Sequence, residues 1–149
     1  MNESKTALIT GCSSGFGMLT ALELAHAGFR VYATMRNLDK RGDLERAAQQ
    51  ENVTVHIHRL DVTDRSSMGP VFDVIKTETG RVDVLVNNAG IGCGGFFEDF
   101  LDSEVRQTFE TNFFGALEMI RKALPFMRSQ RSGRIINVSS IDGRVGISV

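Results

Sequence analysis

The sequence has little cysteine, little proline and no excess of charge of either sign. Cys12 and Cys93 are the only two cysteines among 149 residues. That is too few for a disulfide framework, and the pair lacks the spacing of a zinc site. The expected compartment is therefore the reducing cytoplasm. Two prolines against 15 glycines mean many tight backbone positions and few helix breaks. Lys and Arg number 17 and Asp and Glu 18, a formal net charge of −1. This excludes the basic surface of a nucleic-acid or anionic-membrane binder. No apolar run approaches the roughly 18–20 residues of a membrane span. The polar opening MNESKTALIT lacks the apolar stretch of a secretion signal. With 42% hydrophobic and 23% charged residues, the expectation is an ordinary globular domain over residues 1–149.

Apolar runs alternate with amphipathic stretches along the chain. Thr6 to Thr10, Arg30 to Thr34, Val53 to Leu60, Val82 to Val86 and Arg134 to Val138 have the composition of short, mostly buried strands. Phe16 to Ala27, Leu44 to Gln50 and Asp64 to about Thr79 are helical in pattern. Gly28 and Gly80 supply stops, and Pro70 is expected in the first turns of its helix. Ser103 to about Arg128 is one helix, or two meeting near Asn112 to Gly115. Strands alternating with helices predict a parallel, doubly wound α/β sheet with right-handed crossovers.

A glycine loop, Thr10-Gly11-Cys12-Ser13-Ser14-Gly15-Phe16-Gly17, lies between the first strand and the first helix. Pyrophosphate must approach backbone N–H groups at a helix N-terminus, where a Cβ would block it. The last glycine lets helix and strand pack closely. In this strand–turn–helix context the loop predicts a dinucleotide site. The second strand's tip distinguishes the cofactors. An acid there binds the 2′-hydroxyl of NAD, whereas an Arg accommodates the 2′-phosphate of NADP. The chain reads Ala33-Thr34-Met35-Arg36-Asn37, with no acid at the tip. Arg36, helped by the Ser13 hydroxyl, therefore favours NADP(H) over NAD(H).

The glycine loop, Asp61, Asn87-Asn88-Ala89-Gly90, Asn112 and Ser139-Ser140 occur in one fixed order that resembles the short-chain dehydrogenase/reductase family. TGCSSGFG, VYATMRN and RVDVLVNNAG look most like the subgroup of 17β-hydroxysteroid and retinol dehydrogenases, a look shared by bacterial oxidoreductases of unknown substrate. The resemblance implies a Rossmann-type sheet in the order 3-2-1-4-5. It implies hydride transfer between a nicotinamide and a small-molecule alcohol or carbonyl, such as a steroid, retinoid or other hydrophobic carbonyl, in proteins that are commonly homo-oligomers. Gly11, Ser13, Ser14, Gly15, Phe16, Gly17 and Arg36 match its cofactor site. Asp61 and Val62 match the adenine side, with Asp61 on the exocyclic amine. Asn88, Ala89 and Gly90 match the turn beneath the adenosine ribose. Asn112 matches the asparagine whose backbone helps hold a proton-relay water, and Ser140 the serine that hydrogen-bonds the substrate oxygen.

The same resemblance marks what these residues do not contain. The family's general acid/base is a tyrosine in a Y-x-x-x-K pair whose expected place lies beyond Val149. No lysine follows Lys122, and the one tyrosine, Tyr32, is expected beside the nucleotide rather than the substrate. The family's last two strands, and the helix that pairs with the Asn112–Arg128 helix in its dimers, are also expected beyond this sequence. Gly146-Ile147-Ser148-Val149 departs from the family, where a proline commonly follows the glycine and apolar residue. The expectation is a frameshifted, truncated or fragmentary chain that is inactive alone, either a non-catalytic dinucleotide-binding module or an unstable piece. His56 and His58 share a strand face without an evident third ligand. They are expected to be unliganded surface histidines, so no metal site is expected. Cys93 is expected to be exposed near the cleft. Phe96, Phe97 and Phe100 suit core packing or a hydrophobic entrance. Met119, Ile120, Leu124 and Met127 form a stripe expected against the sheet or a partner helix, partly exposed. Arg128, Arg131 and Arg134 suit a solvated turn.

Overall fold

The computed structural model describes residues 4–141. Strands β1 (Thr6–Ile9), β2 (Arg30–Met35), β3 (Val55–Arg59), β4 (Val84–Asn87) and β5 (Arg134–Asn137) form one sheet. All pairings are parallel, and the order is β3-β2-β1-β4-β5. The order reverses at β1, where Ala7 lies opposite Val31 on one side and Val84 on the other. This is the expected Rossmann-type arrangement, with strand ends displaced by a residue or two where loops take over.

Side-chain alternation divides the sheet between two cores. Leu8, Tyr32 and Leu85 face α3 (Arg65–Glu78) and α5 (Gly115–Ser129), meeting Met68, Val71, Ile75, Met119 and Met127. Ala7, Ile9, Val31, Ala33 and Val86 face α1 (Gly15–His26) and α2 (Gly42–Gln50), meeting Ala21, Leu22 and Leu44. Every inner strand thus buries both faces, which explains its unbroken apolar run. Each fully buried large side chain contributes about 1.5–3 kcal/mol relative to exposure.

The stop and start signals work as the sequence suggests. Gly28, at φ +82°, ends α1. Its N–H donates to Ala25 O and that of Phe29 to Leu24 O, both at 3.0 Å, the paired bonds of a Schellman motif. Asp64 Oδ1 accepts from Ser66 N–H at 3.0 Å and caps α3. Pro70 sits inside α3. A further helix, α4 (Asp102–Phe109), runs into α5 through a π-helical segment, Glu110–Phe114. The two helices therefore meet at the expected place, but without a break.

Three expectations are corrected. Tyr32 does not lie beside the nucleotide cleft. It is fully buried beneath α3, where its hydroxyl donates to Glu78 Oε2 at 2.7 Å and accepts from Arg30 Nε at 3.0 Å. Burial raises its pKa, and the bonds from Tyr32 and Arg30 lower that of Glu78. His56 and His58 are half-buried rather than fully at the surface, with rings 5.5 and 5.8 Å from that of Tyr32. The stripe on α5 lies against the sheet as expected, with Met119 and Met127 buried in that core and Ile120 and Leu124 half-buried. Phe96 is exposed rather than core, while Phe100 is half-buried. Arg128, Arg131 and Arg134 are exposed, as a solvated turn requires.

Candidate cofactor and active site

The site grows from the end of β1. The chain leaves Ile9 through Thr10 and turns at Gly11, where φ is +75°. Gly15, at φ +58°, opens α1. Both angles favour glycine. Gly17 is required for space: a Cβ there would overlap the Gly11 carbonyl and the Asn88 side-chain amide. Ser14 precedes α1 in extended conformation without a side-chain cap, and the first turn carries no acid. The helix therefore offers N–H groups and the positive end of its dipole to an incoming anion. The thiol of Cys12, buried beneath the loop, is pushed up to about 12 by burial, against a weaker opposing backbone bond at Thr34. It is an inert packing group.

The turn after β4 is bolted to the same loop. The Thr10 hydroxyl accepts from Asn88 N–H and Ala89 N–H, each at 3.1 Å. Asn88 Nδ2 donates to Thr10 O at 3.0 Å and Gly11 O at 3.1 Å. Further on, Asn112 fastens Ile91 in both directions: its Oδ1 accepts from Ile91 N–H at 2.9 Å and its Nδ2 donates to Ile91 O at 2.7 Å. Asn112 belongs to the π segment, a feature frequent at functional sites. Asn87 Nδ2 donates to Asn137 Oδ1 at 2.8 Å, tying β4 to β5, while Asn87 Oδ1 is buried without a hydrogen-bond partner among the described residues.

These elements enclose two adjoining cavities at the carboxyl ends of the strands, where open α/β sheets bind ligands. The first, about 450 Å³, is lined by nine of the twelve expected cofactor residues: Gly11, Ser13, Ser14, Arg36, Asp61, Val62, Asn88, Ala89 and Gly90. Gly15 and Gly17 act through backbone shape instead. Phe16 turns to the second cavity, about 780 Å³, together with Asn112, Ser139 and Ser140. Asn88 to Ile91 border both. Asp61 is held in place, its Oδ1 accepting from the N–H and hydroxyl of Thr63 at 2.9 and 2.8 Å. Gly115 allows α5 to press on Val62, where a Cβ would lie 2.7 Å from Val62 Cβ. The glycine-lined anion cradle and the cation at the tip of β2 fit a dinucleotide. Among the described residues no three His, Cys, Asp or Glu gather as a metal site.

Motifs alone did not mark Lys40 or Thr111, and gave Thr10 no role within the glycine loop. Lys40 and Thr111 line the first cavity, and Thr10 shapes it from below. The available signals were proximity: Lys40 follows Arg36 by one turn, and Thr111 precedes Asn112. Cys93 is exposed, with Sγ 2.9 Å from Thr108 Oγ1, on a separate hollow of about 320 Å³.

Comparison with known proteins agrees with this geometry. The short chain dehydrogenase family model matches residues 5–149. Retinol dehydrogenase 8 of Bos taurus is 42% identical over 96% of this chain and 46% of its own length. Estradiol 17-beta-dehydrogenase 1 of Rattus norvegicus is 38% identical over 97% of this chain and 43% of its own. The chain thus spans about half the length of the curated relatives it matches. A crystal structure of actinorhodin polyketide ketoreductase with NADPH superposes with a TM-score of 0.92 at 29% identity, covering 99% of this chain and 57% of that one. Fold, cleft and motif order converge: the chain belongs to the short-chain dehydrogenase family, oxidoreductases that bind a nicotinamide dinucleotide.

Proposed function

We propose that these residues form the cofactor-binding part of a cytoplasmic, NADP-dependent oxidoreductase acting on an alcohol/carbonyl pair. The observation that carries the cofactor choice is the tip of β2: Arg36 lines the cleft, and its sequence neighbours there, Met35 and Asn37, carry no acid. A guanidinium receives a 2′-phosphate in a fork, where a carboxylate would repel it. The similarity to an NADPH-bound ketoreductase supports the same choice.

Bound NADP(H) would supply or accept the hydride. The described residues would hold the cofactor and orient the substrate. The amides at the start of α1 hold the pyrophosphate, and Asp61 and Val62 flank the adenine. Asn88, Ala89 and Gly90 support the ribose. Ser140 hydrogen-bonds the substrate oxygen from the rim of the second cavity. Asn112, its side chain committed to Ile91, keeps the π segment in register so that its main chain can support a proton relay. Phe16, Phe113, Leu117 and Val138 line the second cavity and suit a hydrophobic substrate. The retinol and estradiol dehydrogenase relatives point the same way.

A second reading is carried by Tyr32. As the single tyrosine of the sequence, it is bonded to Glu78 and lines neither cavity. A phenol there cannot protonate a substrate in the cleft, so the 149 residues alone bind dinucleotide without turnover. Titration with NADPH and NADH, followed by Arg36→Asp, tests the main reading. The wild-type chain is expected to prefer NADPH, and Arg36→Asp to weaken NADPH about tenfold or more while sparing NADH. An unchanged preference would refute the assignment. Turnover by the 149 residues would remove the second reading.

A further inference from the structure

Between residues 30 and 65 the sequence carries seven Lys and Arg side chains. Five are held by carboxylates: Arg30 by Glu78, Arg41 by Glu45, Arg46 by Asp43, Arg59 by Asp64 and Arg65 by Glu118. The other two, Arg36 and Lys40, form no ion pair among the described residues, and both line the first cavity. Surface cations in this stretch are otherwise neutralised locally. The two that are not face the same space.

Lys40 is delivered there by a defined turn. Asn37 Oδ1 accepts from Asp39 N–H at 2.9 Å and caps a 3₁₀ turn, Leu38–Lys40. Lys40 N–H donates to Asn37 O at 3.3 Å and Arg41 N–H to Leu38 O at 3.1 Å. Leu38 packs on the core of α1 and α2, which anchors the turn and fixes the lip of the cleft. Outside that lip lies a second hollow of about 460 Å³, also bordered by Asp39 and Asp43. Ser13, Ser14 and Lys40 are the residues common to both spaces.

We propose that Lys40 is a specificity-determining residue that, with Arg36 and the Ser13 and Ser14 hydroxyls, completes a subsite for the ribose 2′-phosphate of NADP. This rests on the NADP reading above and deepens it. A phosphate monoester carries about −1.5 to −2 charges at pH 7, so one guanidinium leaves it partly uncompensated. A second unpaired cation on the same cleft supplies the balance. NADH has no group for Lys40 to meet, so its affinity is independent of that side chain.

The test is calorimetric titration of the full chain and its Lys40→Gln, Lys40→Arg and Lys76→Gln variants. Lys76 is an exposed lysine on α3 and controls for lost net charge. The probes are NADPH, NADH and the adenosine 2′,5′- and 3′,5′-bisphosphates. Lys40→Gln is expected to weaken NADPH and the 2′,5′-bisphosphate roughly tenfold at low salt. NADH and the 3′,5′-bisphosphate should stay within about twofold, Lys40→Arg should retain most of the affinity, and Lys76→Gln should change nothing. Wild-type NADPH affinity should also fall more steeply with salt than that of NADH, a measurement independent of any variant's folding. Equal weakening of NADPH and NADH, equal weakening of both bisphosphates, or a loss no larger than that of Lys76→Gln would overturn the proposal. A wild-type chain that does not distinguish NADPH from NADH would overturn the NADP reading itself. A chain that does distinguish them, unchanged by Lys40→Gln, would remove the Lys40 assignment alone.

Discussion

β3 and β5 each have a neighbouring strand on one side only among the described residues, yet they meet solvent differently. From Val55 to His58, β3 is half-buried. His56 and His58 lie against Tyr32, while Val55 and Ile57 pack on the core beneath α1 and α2. β5 is mostly exposed, and of its apolar residues only Ile135 packs on a core. Ile136 is 42% exposed, Val138 46% and Phe113 52%. Phe113 and Val138 border one cavity. Exposed apolar surface on an edge strand favours association with another chain. The β2–β3 flank, which carries the nucleotide cleft, therefore completes its own packing within these residues. The β4–β5 flank, which carries Ser140 and the second cavity, does not.

The junction between the flanks is where the contrast is easiest to break. Gly17 lets α1 press against the Gly11 carbonyl and Asn88, the residues that tie β1 to the turn after β4. Gly17→Ala forces backbone apart there. It is expected to cost about 2–3 kcal/mol of stability and to abolish NADPH binding, as read by urea unfolding and by titration. A wild-type urea midpoint would show that this close approach does not join the flanks.

The same asymmetry governs what was legible beforehand. The glycine loop, Asp61 and the Asn87–Gly90 turn are local patterns whose geometry follows from a few adjacent residues, and residues of all three line one cavity. The side of the sheet on which Tyr32 lies was not legible, because a strand buried on both faces has no polar alternation to read. The partial cover of His56 and His58 against Tyr32 was not legible for the same reason. The π segment at Asn112 depends on hydrogen-bond register and leaves no mark in residue type. Lys40 was hidden because its position depends on one 3₁₀ turn capped by Asn37, a detail finer than helix and strand periodicity.

A matched pair of charged substitutions sharpens the comparison of the edges. Ile57→Lys places a charge against the core of α1 and α2 and is expected to cost about 2 kcal/mol. Ile136→Lys is expected to change stability by under about 0.5 kcal/mol and to reduce self-association. Unfolding midpoints and light scattering read the two effects. Equal losses of stability would mean that both edges are packed alike.

The smallest expected effect is a pH dependence confined to the β3 edge. Burial is the main cause of the lowered pKa of His56, followed by the nearby Arg30 guanidinium, with Glu78 opposing. Burial likewise lowers that of His58, again opposed by Glu78. In the unfolded chain both titrate near 6.5. Above that pH both states hold these histidines neutral, and the fold keeps its full stability. As pH falls below about 6.5, the unfolded chain takes up protons that the folded edge resists, so stability declines toward the depressed folded values. The carboxylate that acts on the pair, Glu78, is already ionised throughout this window, since Tyr32 and Arg30 shift it downward. Melting between pH 7.5 and 5 should therefore show a fall that His56→Gln/His58→Gln flattens. His26, bonded to Glu51 at 2.8 Å, remains in both proteins as common background. A fall of the same size in the double variant would show that the β3 edge bears protonation as freely as exposed surface does, and the contrast with β5 would then rest on apolar packing alone.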